Sequence, residues 1–98
     1  MMYGDKVIAL DFCGCKYLGE FHKRIKEAFD FPDFYGENWD AFWDLLRTEC
    51  DADRVEITGE ETLSKKFDWH IKTLHKILQD FKENCEKYGD RFDFQILS

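Results

Sequence analysis

The stretch Phe34-Tyr35-Gly36-Glu37-Asn38-Trp39-Asp40-Ala41-Phe42-Trp43-Asp44-Leu45-Leu46 organises the rest of the chain. Gly36 predicts a turn, and Asn38 is placed to cap a helix, because no helix-breaking residue follows for about a dozen positions. At about 100° per residue, one side of this helix is apolar and the other acidic. The apolar side holds Trp39, Phe42, Trp43, Leu45 and Leu46, and the acidic side holds Glu37, Asp40 and Asp44.

The acidic side concentrates charge in a way that costs the helix stability. Asp40 and Asp44 are four residues apart, so their carboxylates lie close together and repel, although Asp40 benefits from the helix dipole. Residues 30–53 contain eight acids and one base, Arg47. The whole chain has 21 acids and 14 bases, which leaves 13 of each elsewhere, so the net charge of −7 lies in this segment. Such a field indicates a basic partner that is attracted electrostatically.

The run Tyr-Gly-Glu-Asn-x-Asp-Ala-x-Trp-Asp, from Tyr35 to Asp44, closely resembles the helix and preceding loop of the barstar family. These proteins are intracellular inhibitors of small secreted bacterial ribonucleases. The resemblance extends over nearly the whole chain and includes Phe21-His22, the Pro32 turn and the ending Ile96-Leu97-Ser98. It implies an α/β fold with a small three-stranded parallel sheet, and a helix and loop that plug the cationic active site of a ribonuclease.

The resemblance also implies a set of partner contacts. Asp44 matches the central aspartate, which occupies the position of a substrate phosphate and meets arginines and a histidine of the nuclease. Asp40 matches a second acidic contact, and Trp43 matches the aromatic residue beside the central aspartate. The complete implied set is Phe34, Tyr35, Gly36, Asn38, Asp40, Ala41, Trp43, Asp44 and Glu83.

Some positions depart from the family pattern. Phe34 stands where the family has a tyrosine, so the ring remains and the hydroxyl is lost. Glu49 stands in place of a tryptophan, and Arg47 replaces a threonine, which brings a positive charge to the rim of the surface. A second acidic contact on the last helix is lost near Lys87 and Gly89. These changes concern which ribonuclease is recognised more than whether the fold forms.

Three strands and three helices are predicted from the residue pattern. The apolar run at 7–10 predicts a buried strand, whereas 55–58 and 91–97 alternate as half-buried strands do. Helical spacing predicts helices over 18–29, from Asn38 to about Thr48, and over 67–88, where Gly89 is placed as the C-terminal cap. One short helical turn is predicted within 60–66. Helices between strands favour parallel pairing.

Composition indicates one domain spanning residues 1–98, expected to be a monomer when free. No stretch approaches 18 apolar residues, and residues 1–5 lack the features of a secretory leader, so a cytoplasmic location is expected. Disulfides are therefore not expected. Cys85 is expected in the core, and the pair Cys13 and Cys15 is too tightly spaced for common zinc sites. We expect no metal and no cofactor.

Alternative functions follow from the same residues. Paired carboxylates can act as acid and base, so one alternative is a metal-dependent enzyme that uses Asp40 and Asp44. Another is a barstar-like adaptor that binds a different basic protein or toxin. The histidines His22, His70 and His75 are expected at the surface or at its boundary. Direct binding of nucleic acid is disfavoured, because the negative charge repels phosphates.

Overall fold

The computed structural model describes residues 6–32, 35, 38–49 and 52–97. Its strands are β1 (Val7–Asp11), β2 (Arg54–Thr58) and β3 (Asp93–Ile96), and its helices are α1 (Leu18–Phe29), α2 (Trp39–Glu49) and α3 (Asp68–Lys87). Two short 3-10 turns, Glu60–Thr62 and Lys65–Phe67, precede α3, where one was expected. The strands form one parallel sheet in the order β1-β2-β3, which confirms the predicted α/β architecture.

The helices cover one face of the sheet. Ile8 lies beside Val55 and Leu10 beside Ile57 in the β1–β2 register, and all four side chains are buried. The other three residues of β1, Val7, Ala9 and Asp11, are exposed, with Val7 at 40%. The predicted strand is present, but the prediction that it is buried is wrong for these three residues. Its run of apolar residues places alternate side chains on the uncovered face, since successive side chains of a strand point to opposite faces.

Helix α1 begins and ends at the predicted residues, but one of its side chains was assigned to the wrong face. Phe21, Ile25 and Phe29 are buried as the helical spacing indicates. His22 was expected at the surface or its boundary, yet its side chain is only 4% exposed. The physical reason is a polar partner from another segment, because Nδ1 of His22 lies 2.9 Å from the hydroxyl oxygen of Tyr35.

Helix α3 ends in the glycine cap that the sequence indicates. The N–H of Gly89 donates to the carbonyl of Glu86 at 3.2 Å, and the N–H of Asp90 donates to that of Cys85 at 2.8 Å. This pattern requires a left-handed residue, and Gly89 has φ +79°. Cys85 is in the core as expected, and burial raises the pKa of its thiol. The predicted helix included Tyr88, but α3 ends at Lys87 and Tyr88 is 69% exposed.

Helices α2 and α3 lie side by side and run in the same direction. At their N-terminal ends, Nε1 of Trp39 donates a hydrogen bond of 3.3 Å to Nδ1 of His70. Towards their C-terminal ends, Arg47 and Asn84 line one shallow cavity. Within the described ranges, none of these helices is long and apolar enough to cross a membrane. The parallel arrangement places the outer faces of α2 and α3 next to each other.

Candidate partner-binding surface

The start of α2 is fixed by its predicted capping residue. Oδ1 of Asn38 accepts a hydrogen bond of 2.8 Å from the N–H of Ala41, and the carbonyl of Asn38 accepts one of 3.0 Å from Phe42. The side-chain bond satisfies one of the N–H groups that every helix leaves unpaired at its beginning. The cap confirms the predicted helix start and holds Asp40 in the first turn.

The apolar side of α2 anchors the helix to the core. Phe42 and Leu46 have no exposed surface, and Leu45 is also buried. Trp39 and Trp43 are half-buried and pack against the same cluster. Burying a large side chain of this kind contributes about 1.5–3 kcal/mol, so these contacts fix the helix orientation far more strongly than the acidic repulsion disturbs it.

The acidic side of α2 consequently faces solvent. Asp40 and Asp44 are both exposed. In the part of the chain that the structure describes, neither carboxylate takes part in a salt bridge or a side-chain hydrogen bond. The third acidic residue, Glu37, lies outside the described residues. Within the described ranges, this side of α2 therefore carries two adjacent carboxylates that no ion pair of the chain neutralises.

An arginine modifies one edge of this acidic side. The guanidinium carbon of Arg47 lies 5.6 Å from the ring centroid of Trp43, within the range of a cation–π contact. Arg47 follows Trp43 by four residues on α2 and lines a cavity together with Asn84 of α3. A positive charge therefore lies at the edge of the acidic side of α2.

Other members of the predicted contact set occupy different environments. Glu83 is exposed on α3, and its Oε2 accepts a hydrogen bond of 3.0 Å from Nε2 of Gln79. Ala41 is half-buried on α2. Tyr35 is only 5% exposed and its hydroxyl lies within hydrogen-bond distance of His22, so its ring is part of the core. The predicted contacts of Phe34 and Gly36 lie outside the described residues. The assignment of partner contacts to this set stays a prediction.

One exposed aromatic residue near the start of α2, Trp69, was not singled out from the sequence. Trp69, the second residue of α3, is 63% exposed. Its ring meets that of His70 edge-on, with centroids 4.9 Å apart, and His70 in turn stacks on Trp39. The signal was present, since Trp69 lies off the apolar spacing of α3 and a tryptophan at such a position is predicted to be exposed. His70 and His75 are half-buried, which confirms their expected boundary positions.

The fold and this surface define a class of small α/β domain in which an exposed acidic helix, α2, lies beside a second helix of the same chain, α3. A family model described as "Barstar (barnase inhibitor)" matches residues 6–96. The chain belongs to the barstar family. It is also similar to a protein of Bacillus subtilis (strain 168) named "Putative ribonuclease inhibitor YrdF". The two are 56% identical over 75 residues, which cover 76% of this chain and 80% of the relative.

Proposed function

We propose that this chain inhibits a small, basic, secreted ribonuclease of the barnase type, and that it does so in the cytoplasm by binding and without catalysis. Two findings support the proposal. The matching family is described as a barnase inhibitor, and the similar Bacillus subtilis protein carries the name of a ribonuclease inhibitor. A cell that makes such an enzyme for export needs protection from it before export.

The proposed mechanism is imitation of RNA by the acidic side of α2. Ribonuclease active sites hold cationic side chains that grip phosphate oxygens. A carboxylate offers two oxygens in a similar geometry, which arginine can bind with two parallel hydrogen bonds. In this mechanism Asp44 occupies the position of a substrate phosphate and Asp40 provides a second anionic contact.

The surroundings of the two aspartates complete the proposed contact. Trp43 offers an apolar flank beside Asp44, while Asn38 and Ala41 shape the first turn of α2. Glu83 adds an acidic contact from α3. The residues Phe34, Tyr35 and Gly36, which precede α2, are included on the resemblance to the family.

One observation carries the proposal furthest. Asp40 and Asp44 are exposed side by side and, among the described residues, make no salt bridge with the chain's own lysines or arginines. Their charge is therefore available to another molecule. Concentrated charge of one sign speeds the encounter with a partner of opposite sign, and desolvation of the resulting charge pairs slows dissociation.

The direct test is inhibition of a panel of small basic ribonucleases by the purified chain. Cleavage of a fluorogenic RNA substrate is measured over a range of inhibitor concentrations, with a basic non-nuclease protein of similar size as the binding control. We expect at least one enzyme to be inhibited stoichiometrically, with no RNA cleavage and no substrate turnover by the chain itself. Binding of the basic non-nuclease with equal affinity, or inhibition of no ribonuclease, would contradict the proposal.

A further inference from the structure

Trp69 is an exposed side chain that does not belong to the hydrophobic core. An indole carries a large apolar surface, and tryptophan is among the residues most enriched at the centres of protein interfaces. A single exposed aromatic residue is common on protein surfaces and indicates nothing alone. Its position relative to the acidic side of α2 makes Trp69 a candidate partner contact.

Trp69 shares one stripe of α3 with the acidic contact Glu83. The stripe follows helical spacing of three or four residues, and none of its members is buried; it consists of Trp69, Thr73, Lys76, Asp80 and Glu83. At 1.5 Å per residue, its two ends are about 21 Å apart. A standard interface covers about 800 Å² on each partner, so both ends fit within a single contact patch.

Ring contacts join Trp69 to the start of α2. The rings of Trp69 and His70 meet at 89° with centroids 4.9 Å apart. His70 stacks on Trp39 with centroids 6.1 Å apart, and Nε1 of Trp39 donates to its Nδ1. Trp39 directly precedes the exposed Asp40 in the first turn of α2. A series of ring contacts therefore links the exposed Trp69 to the residue that directly precedes the exposed Asp40.

An apolar cavity lies beside His70, the residue that the ring of Trp69 contacts. It has a volume of about 300 Å³ and is lined by Tyr17, Leu18, Lys66, Phe67 and His70. Tyr17 and Leu18 are exposed at its rim, at 69% and 42%. Nζ of Lys66 lies 5.7 Å and 5.6 Å from the ring centroids of Tyr17 and Phe67. A cationic side chain of a partner is disfavoured beside this lysine, whereas an apolar one fits the cavity walls.

We propose that Trp69 and this cavity form a second, apolar contact for the same ribonuclease, which receives an apolar or aromatic side chain from the rim of the enzyme's active site. The inference rests on the proposed function. The acidic side of α2 steers the encounter, and the apolar contact slows dissociation and helps to select among basic ribonucleases that share cationic active sites. A second copy of this chain is a poor occupant, because its net charge of −7 would place two acidic fields together.

The test compares association and dissociation rates of variants with a ribonuclease that the wild-type chain inhibits. For Trp69→Ala we expect dissociation to be at least about tenfold faster, with association changed by less than about threefold. Trp69→Phe, which keeps a ring, is expected to lie between. The control is Val7→Ala, which shortens an exposed apolar side chain on the uncovered face of the sheet and is expected to leave both rates unchanged. Thermal unfolding of each variant confirms that it folds.

Separate results contradict the inference and the proposed function. If Trp69→Ala dissociates as slowly as Val7→Ala from a ribonuclease that the wild type inhibits, the inference is wrong and the proposed function stands. If the wild type inhibits no ribonuclease, both are wrong. Sedimentation of the free chain is measured in parallel. A dimer that Trp69→Ala dissociates would identify a second copy as the occupant and would also overturn the inference.

Discussion

The hydroxyl oxygen of Tyr35 lies 2.9 Å from Nδ1 of His22, and both side chains are buried. The contact joins α1 to the segment that leads into α2. His22 also packs against Trp39, the first residue of α2, with ring centroids 4.8 Å apart. This polar contact lies within an aromatic cluster that packs against the first residue of α2, so the orientation of the acidic helix depends on buried side chains outside the helix.

Tyr35→Phe tests this support. The substitution keeps the ring and removes the hydroxyl, so the hydrogen bond to His22 is lost in a buried site. We expect the free energy of unfolding in urea to fall by about 1–2 kcal/mol. Tyr88→Phe is the matched control, because that tyrosine is 69% exposed, and a change below about 0.5 kcal/mol is expected. Equal effects of the two substitutions would show that the buried contact contributes nothing.

Asn38→Ala tests the helix cap. The bond from the N–H of Ala41 to Oδ1 of Asn38 is removed, and we expect a loss of about 1 kcal/mol in the free energy of unfolding. Asn38→Asp keeps an oxygen acceptor and places a negative charge at the positive end of the helix dipole, so its stability should match or exceed the wild type. Urea unfolding measures both variants. An aspartate variant as unstable as the alanine variant would mean that this cap does not determine the helix start.

The surface ion pair between Lys82 and Asp93 is expected to make the free energy of unfolding depend on pH in the acidic range. The hydrogen bond from Lys82 lowers the pKa of Asp93, and the N–H of Phe94 adds to the effect. Because the pKa is lower in the folded chain, this carboxylate stabilises the fold above its unfolded pKa. That contribution is lost as pH falls through the folded pKa.

Lys82→Met keeps the aliphatic stem and removes the charge. Asp93 is 60% exposed, so solvent screens the pair, and we expect the variant to lose no more than about 0.5–1 kcal/mol at pH 7. The difference from the wild type should shrink towards zero as Asp93 becomes protonated. Urea unfolding at a series of pH values between 7 and 3 measures it. A difference that stays constant with pH would show that the lysine acts through packing instead of through Asp93.

Arg47 is predicted to slow the encounter with a basic partner. Its charge lies at the flank of α2 beside Trp43 and weakens the local acidic field. Arg47→Thr should speed association with the ribonuclease by about two- to fivefold at low salt, and the gain should fade at about 0.5 M salt. Stopped-flow association measures the rates. Arg54→Thr is the control, since Arg54 pairs with Glu56 on strand β2. An equal gain from both substitutions would indicate a general charge effect.

Much of this architecture follows from the residue pattern because the pattern is set by local physics. Helical spacing gives the bounds of α1, and the left-handed cap requirement identifies Gly89. The acidic side of α2 follows from the same periodicity, because the apolar residues opposite it must be buried. Parallel pairing follows from the helical connections between strands.

The errors arise where a second segment decides the outcome. His22 is buried because Tyr35, 13 residues away, supplies a polar partner, and periodicity within α1 cannot reveal that. Val7 is exposed because all helices cover the other face of the sheet, whereas an apolar run by itself predicts burial on both faces. The aromatic surface at Trp69 depends on the packing of α3 beside α2, which brings together residues that are distant in sequence.

The proposed role of Asp44 in binding a ribonuclease is tested by the dissociation constant of Asp44→Ala with a ribonuclease that the wild type inhibits, determined by calorimetry or from rates. We expect binding to weaken by at least about a hundredfold, or about 3 kcal/mol, a magnitude drawn in part from barnase and barstar themselves. The free energy of unfolding should change by less than about 0.5 kcal/mol, because the side chain is exposed. Glu61→Ala removes an exposed carboxylate elsewhere and should weaken binding by less than about threefold. A loss below about fivefold for Asp44→Ala, or equal losses for both variants, would show that the carboxylate of Asp44 is not a central contact of the complex.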